Sequence, residues 1–181
     1  MTTRTPTISS EYLAQQKALH ENPDYGVASI GFAPVLKTLL PQLGTRSICD
    51  YGAGKKNLLK ALNDLGVSDF DYFPYDPAFP EYGEAVPADL VCCIDVLEHI
   101  EPDYLDSVLR ELAGLVRKHG FFSIQCGAAQ KRLPDGRNAH LIQKPSSWWL
   151  PRLCAYFEIA HLKTMGGGFW VLVTPQAAGA L

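Results

Sequence analysis

Ser47-Ile48-Cys49-Asp50-Tyr51-Gly52-Ala53-Gly54 decides the fold, because it reads as a short apolar strand running into an acid and a glycine turn. Lys55 to Leu65 follows as a helix. Glycine has no Cβ and accepts the dihedrals of a tight turn, so a strand that delivers two glycines to a helix start lets a ligand approach the backbone closely. A dinucleotide fingerprint would place a third glycine where Asn57 stands, which disfavours a phosphate cradle. Two carboxylates suit a different ligand. Asp50 lies just before the turn, where it can face a cationic amino group. Asp76 ends the next apolar stretch, Phe70 to Tyr75, where a carboxylate can accept both hydroxyls of a ribose.

With these residues in place, the chain resembles the class I S-adenosylmethionine-dependent methyltransferases. Asp50 to Gly54 resembles that family's glycine motif, Asp76 its ribose-binding acid, and Ala88 to Ile100 its fourth strand and the turn after it. His119 to Ile124 resembles the fifth strand. The order and spacing of these pieces, over residues 46 to 126, carry the resemblance. Lys56 stands where the family often has a further glycine. The implied fold is α/β, a Rossmann-like, doubly wound and mostly parallel sheet that closes with a C-terminal antiparallel strand pair. The implied cofactor is S-adenosylmethionine, held by Tyr25, Gly26, Asp50, Gly52, Gly54, Asp76 and Asp95. For Tyr25 and Gly26 the alternative, an ordinary turn between helices, stays open.

Composition narrows the rest. A chain of 181 residues that is 47% apolar can bury on the order of 70% of its unfolded surface, which predicts one domain. Its net charge of −3 gives no broad basic face for duplex nucleic acid. The five cysteines, Cys49, Cys92, Cys93, Cys126 and Cys154, lack metal spacing, and the first three fall in apolar strands where a thiol behaves as a small hydrophobe. A reducing cytoplasm is the expected location. No apolar run approaches the roughly 18 residues of a membrane span, and Met1 to Ser10 has no apolar core.

In chain order, Met1 to Thr7 reads as a disordered lead, and Ser9 or Ser10 caps a helix through about His20. Phe32, Val35, Leu36, Leu39 and Leu40 recur at helical spacing, which predicts a second helix packed on the sheet, and the resemblance implies that residues 1–44 supply N-terminal helices covering the cofactor site. Residues 45–126 form the cofactor-binding core. Only twelve residues, including Pro77, Pro80 and Pro87, separate Asp76 from Asp89, too few for the usual strand and helix, so the sheet is trimmed at that edge. Pro102 opens a helix whose apolar stripe runs from Leu105 to Val116 and ends at Lys118-His119-Gly120, with Phe121 to Cys126 as the next strand. Residues 127–147 lack periodicity and leave the end of a strand beside the site, which predicts a substrate-facing lid. Residues 148–181 supply a short helix and two strands joined through Gly166-Gly167-Gly168. Of Trp148 and Trp149, one is expected in the core and the other on the pocket floor.

The catalytic candidates lie in Asp95-Val96-Leu97-Glu98-His99 and in the lid. If a helical turn follows the strand, Asp95, Glu98 and His99 share a face. This run resembles a methyltransferase subgroup, including small-RNA 3′-end 2′-O-methyltransferases and ubiquinone-pathway O-methyltransferases, in which Glu-x-x-Glu-His and a later histidine hold a divalent metal. That resemblance implies Asp95, Glu98, His99 and His140 as ligands, of a type suited to Mn, Fe, Co or Zn. Without a metal, Glu-His packs the turn or touches cofactor and substrate, and His140 is a candidate general base. His20, His119 and His161 read as surface or helix-end residues.

The expected activity is methyl transfer from S-adenosylmethionine to an oxygen of a small-molecule, carbohydrate or nucleotide acceptor, with His99 and His140 as catalytic residues. The alternative is a non-catalytic S-adenosylmethionine-binding or partner module, motivated by Lys56 and the trimmed edge. A nicotinamide binder is disfavoured by Asn57.

Overall fold

The computed structural model describes residues 5–177; residues 1–4 of the expected lead, and 178–181, lie outside it. Among the described residues, six strands form one sheet in the order β2-β1-β3-β4-β6-β5. They are β1 (Ser47–Tyr51), β2 (Asp71–Tyr75), β3 (Ala88–Ile94), β4 (Val116–Gln125), β5 (Phe157–Met165) and β6 (Gly168–Pro175). β1 pairs in parallel with β2 and β3, and β3 with β4, whereas β6 runs antiparallel to both β4 and β5. This is the mostly parallel sheet with an antiparallel closing pair. The trimmed edge is also present, since β2 is an end strand and the proline-rich link to β3 holds a single 3₁₀ turn, Pro80–Tyr82.

Alternation along the strands sorts side chains to two cores. Ile48, Leu90, Cys92, Phe121, Trp170 and Leu172 face α2 (Ala28–Leu43) and α3 (Asn57–Asp64). Their neighbours Cys49, Val91, Cys93, Phe122, Val171 and Val173 face α4 (Leu105–Leu115) and α5 (Ser146–Cys154). Period-two alternation under helices on both sides is what makes Ala88 to Ile94 a continuous apolar run. Cys49, Cys92 and Cys93 are buried and unpaired, as expected of thiols inside such strands.

α1 (Ser10–His20) is capped by Ser9, whose hydroxyl accepts the Tyr12 amide at 3.1 Å and donates to Glu101 Oε1 at 2.7 Å. The helix seats on the segment after β4, where Tyr12, Leu133 and Ala139 bury together as a third, small cluster. That segment is irregular apart from a bridge between Arg132 and Asn138.

Two expectations need correction. α4 stops at Leu115, and Val116 to Gly120 belong to β4. Val116 has ψ 110°, extended backbone, although its side chain continues the apolar stripe. Trp149 is fully buried in the core, but Trp148 does not floor the pocket: it is half-buried against the same core, away from the cavity lining, with the Arg152 guanidinium 3.5 Å from its ring centre.

Candidate active site

The turn after β1 is closed by its own backbone. The amides of Gly52 and Ala53 both donate to the Tyr75 carbonyl, at 2.8 and 3.0 Å, and the Gly54 amide donates to Asp76 Oδ2 at 2.9 Å. Three successive amides are thus satisfied inside the protein, and none is left to cradle a phosphate. Gly52, at φ +81°, also lies against the turn after β3: a Cβ there would sit 2.4 Å from Val96 Cγ2. Lys56, where a further glycine is usual, adopts φ 57°, the left-handed backbone that explains that preference. Its ammonium sits 4.7 Å from the Tyr82 ring centre, and the Tyr82 hydroxyl donates to the Gly54 carbonyl at 2.9 Å.

Two acids flank the turn. Asp76 is 8% exposed and accepts two amides, Gly54 on Oδ2 and Ala78 on Oδ1 at 2.8 Å, so each oxygen keeps a lone pair for a ligand. Burial pushes its carboxyl up, against the opposing effect of those amides and of His20. Asp50, 3% exposed, accepts the Tyr72 hydroxyl in a short hydrogen bond. Burial pushes it up to about 7, with Asp76 adding in the same direction against the Tyr72 bond.

Across the cleft, Asp95 has φ 52°, and its carboxylate accepts the Ser123 hydroxyl at 2.9 Å. Leu97–His99 is a 3₁₀ turn. A left-handed residue followed by three residues per turn does not put positions i, i+3 and i+4 on one face as an α-helix would. Glu98 is therefore carried into the core: it is fully buried, Oε1 accepts the Gln125 amide at 2.7 Å, and its carbonyl accepts the Ile142 amide at 3.0 Å. The expected metal quartet does not assemble. Among the described residues, no three His, Cys, Asp or Glu side chains come together as a group able to hold a metal ion.

The two histidines do meet, with ring centres 4.8 Å apart and the rings edge to face. His99 Nδ1 is 2.8 Å from the Ala139 carbonyl, and His140 Nδ1 is 2.7 Å from the Gly127 carbonyl. A carbonyl can only accept, so each Nδ1 carries hydrogen and Nε2 is the nitrogen left for a ligand. Burial, helped by His140, lowers His99 to about 4, so it is neutral at pH 7.

Between these walls lies a cavity of about 550 Å³ at the carboxyl ends of β1, β2 and β3. All seven expected cofactor residues line it, Tyr25 and Gly26 included, together with His99 and His140; Glu98 does not. Residues 127–131 of the expected lid form one rim. α1 contributes Tyr12 and Gln16, which carry no expectation from the sequence, and His20, which is the helix-end residue expected but lines the cavity with its side chain only 12% exposed. Their spacing of four places them on one helix face, a signal that was present in a helix expected to cover the site. The Tyr12 hydroxyl donates to the His99 carbonyl at 2.7 Å, and Tyr25 donates to Gln16 Oε1 at 3.1 Å, so α1 touches both walls.

A family model described as a methyltransferase domain matches residues 28–167. No curated protein matches the chain. Among solved structures, the Burkholderia thailandensis 1,6-didemethyltoxoflavin-N1-methyltransferase, crystallised with its namesake compound and S-adenosylhomocysteine, superposes with a TM-score of 0.60 at 18% identity, over 96% of this chain and 92% of that one. A DhpI-SAM-HEP complex gives 0.59 at 12% identity, over 96% of this chain and 100% of the other. Human N-acetylserotonin methyltransferase in complex with SAM gives 0.55 at 16% identity, with 92% of this chain matching 56% of that one. The family match spans the glycine turn, both acids and the two histidines, and the chain belongs to the methyltransferase-domain family, with the Rossmann-like fold of S-adenosylmethionine-dependent enzymes.

Proposed function

We propose that the chain transfers the methyl group of S-adenosylmethionine to an oxygen of a small-molecule acceptor. The observation that carries this reading is the glycine turn with its amides already satisfied and carboxylates on either side. Such a site suits a cationic, hydroxyl-bearing nucleoside and disfavours a diphosphate. Asp76 takes the ribose hydroxyls on its remaining lone pairs. Asp50 and Asp95 face the positively charged methionine end, and Tyr25 and Gly26 cover it.

The sulfonium is an activated donor, so the protein's work is mostly alignment. The acceptor oxygen attacks the methyl carbon in line; the new C–O bond forms as the C–S bond breaks, leaving S-adenosylhomocysteine. The hydroxyl proton passes to His140 Nε2, while His99 holds the ring edge-on and stays neutral. Proteins of similar fold include, by their names, an N1-methyltransferase and a 7-O-methyltransferase. Oxygen is favoured here because a hydroxyl must lose its proton and the His140 imidazole lines the cavity to accept it. A volume of about 550 Å³ lies within the roughly 300–1,000 Å³ of ordinary ligand pockets, leaving room beside the cofactor for a small acceptor. Residues 127–147 act as the lid that closes on it.

Incubation with methyl-labelled S-adenosylmethionine and a panel of phenols, sugars and nucleosides tests the reading. Label should pass to a hydroxyl of one class; transfer only to amines would overturn the oxygen assignment.

A further inference from the structure

Resting on that reading, the geometry points to His20 as a cofactor-binding residue that completes the ribose site together with Asp76, although it comes from a helix outside the core motif. His20 ends α1, and its ring lies directly on the glycine turn: a Cβ built on Gly54 would be 3.1 Å from His20 Cε1. The ring is wedged edge to face between Tyr25 and Phe79, with centre distances of 5.0 and 4.9 Å. Packing on two sides sets its orientation, and the side chain is only 12% exposed.

Its polar atoms are not used up. Nε2 stands 3.9 Å from Asp76 Oδ2, beyond a direct hydrogen bond. That separation fits one bridging hydroxyl, with a leg of about 2.8 Å to each atom. The hydroxyl would donate to the carboxylate and accept from Nε2–H. Nδ1 is buried and has no hydrogen-bond partner. With no acceptor beside Nδ1, the ring hydrogen sits on Nε2, the nitrogen that faces Asp76. Phenylalanine would fill the same wedge but offer no donor there. The pairing also ties α1 to the cofactor: a bound ribose would hold His20 and Asp76 in a single network across 56 residues of sequence.

Calorimetric titrations of wild type, His20→Phe and His20→Gln with S-adenosylhomocysteine and its 2′-deoxy and 3′-deoxy analogues test this assignment. Wild type should bind both deoxy analogues more weakly than the parent, since each lacks a hydroxyl held by Asp76, and the one lacking the bridging hydroxyl about tenfold more weakly than the other, the value of roughly one further hydrogen bond. His20→Phe should lose about tenfold on the parent and nothing on the analogue that lacks the bridging hydroxyl, and His20→Gln, which restores an N–H donor, should recover part of the loss. A His20→Phe variant that keeps its affinity for the parent, or weakens equally for all three ligands, overturns the assignment; the latter would make His20 a packing residue. Wild type that binds none of the three would instead overturn the methyl-donor reading, and this assignment with it.

Discussion

The Gly54 amide donates to Asp76 Oδ2 at 2.9 Å, so the turn after β1 and the acid after β2 hold each other in place before any ligand arrives. A preformed site of this kind spends little of its binding energy on ordering the loop. The arrangement also makes the glycines unequal.

Gly52→Ala should destabilise the fold by roughly 1–3 kcal/mol, because φ +81° is unfavourable to a side chain and the new Cβ would press on Val96 Cγ2 at 2.4 Å. Gly54→Ala, at φ +47°, carries backbone strain too but meets the edge of His20 at 3.1 Å rather than a 2.4 Å clash, so it should melt closer to wild type and lose more in cofactor affinity. Thermal melts of the two variants, with Val96→Ala added to relieve the first, check this. A Gly52→Ala protein that melts like wild type would contradict it.

Buried Asp50 makes stability depend on pH. Its carboxyl stands at about 7 in the fold and near 3.9 when unfolded. A group whose folded value is raised contributes stability that is complete below the unfolded value and is lost as pH rises through the folded one. The ligand-free protein should therefore melt progressively lower between pH 4 and pH 8. The raised Asp76, Asp95 and Glu98 act in the same sense. Asp50→Asn still accepts from Tyr72 and should flatten part of the slope. Parallel slopes for variant and wild type would remove Asp50 from the account.

Much of this was legible from residue patterns. Asp50-Tyr51-Gly52-Ala53-Gly54 names its own turn, and the continuous apolar run at Ala88 to Ile94 announces a strand covered on both faces. Pro77, Pro80 and Pro87 mark the missing edge. The α4–β4 junction was misread because Val116 prolongs the helical period and Lys118-His119-Gly120 mimics a helix stop, although tertiary pairing with Ala88 draws Val116 into the sheet. The failure at Glu98 came from assuming an α-turn where a left-handed Asp95 and a 3₁₀ turn stand. The role of His20 is harder to read for another reason: its spacing of four from Tyr12 and Gln16 marks the face it shares with them, but Asp76 is remote in sequence, so nothing local distinguishes it from an ordinary helix-end histidine.

His140→Ala should lower methyl transfer to a hydroxyl acceptor by about 10²–10⁴-fold while leaving cofactor affinity near wild type, because it removes the proton acceptor alone. His99→Asn should fall less, and His99 should contribute no inflection to the pH–rate profile between 6 and 8, since it is neutral above about 4. Turnover by His140→Ala at the wild-type rate would remove the base. EDTA should leave both rates unchanged.

The segment 127–147 should open and close. Gln15 donates to Asp135 at 3.0 Å, Lys131 donates to the Asp24 carbonyl at 2.9 Å, and the Arg137 guanidinium lies 5.8 Å from the Tyr12 ring centre. These contacts tie the segment to α1 and its turn, but Arg132 and Arg137 are exposed. Limited trypsin digestion should cut there in the free protein and slow when cofactor and acceptor are both bound. Cleavage at one rate with and without ligands would identify a static loop.

The most direct measurement is calorimetric titration of wild type and Asp76→Ala with S-adenosylhomocysteine. The account predicts one saturable site in wild type and a loss of roughly 2–4 kcal/mol in the variant, since two hydroxyls lose a charged acceptor. No binding by wild type, or equal binding by both proteins, would contradict it.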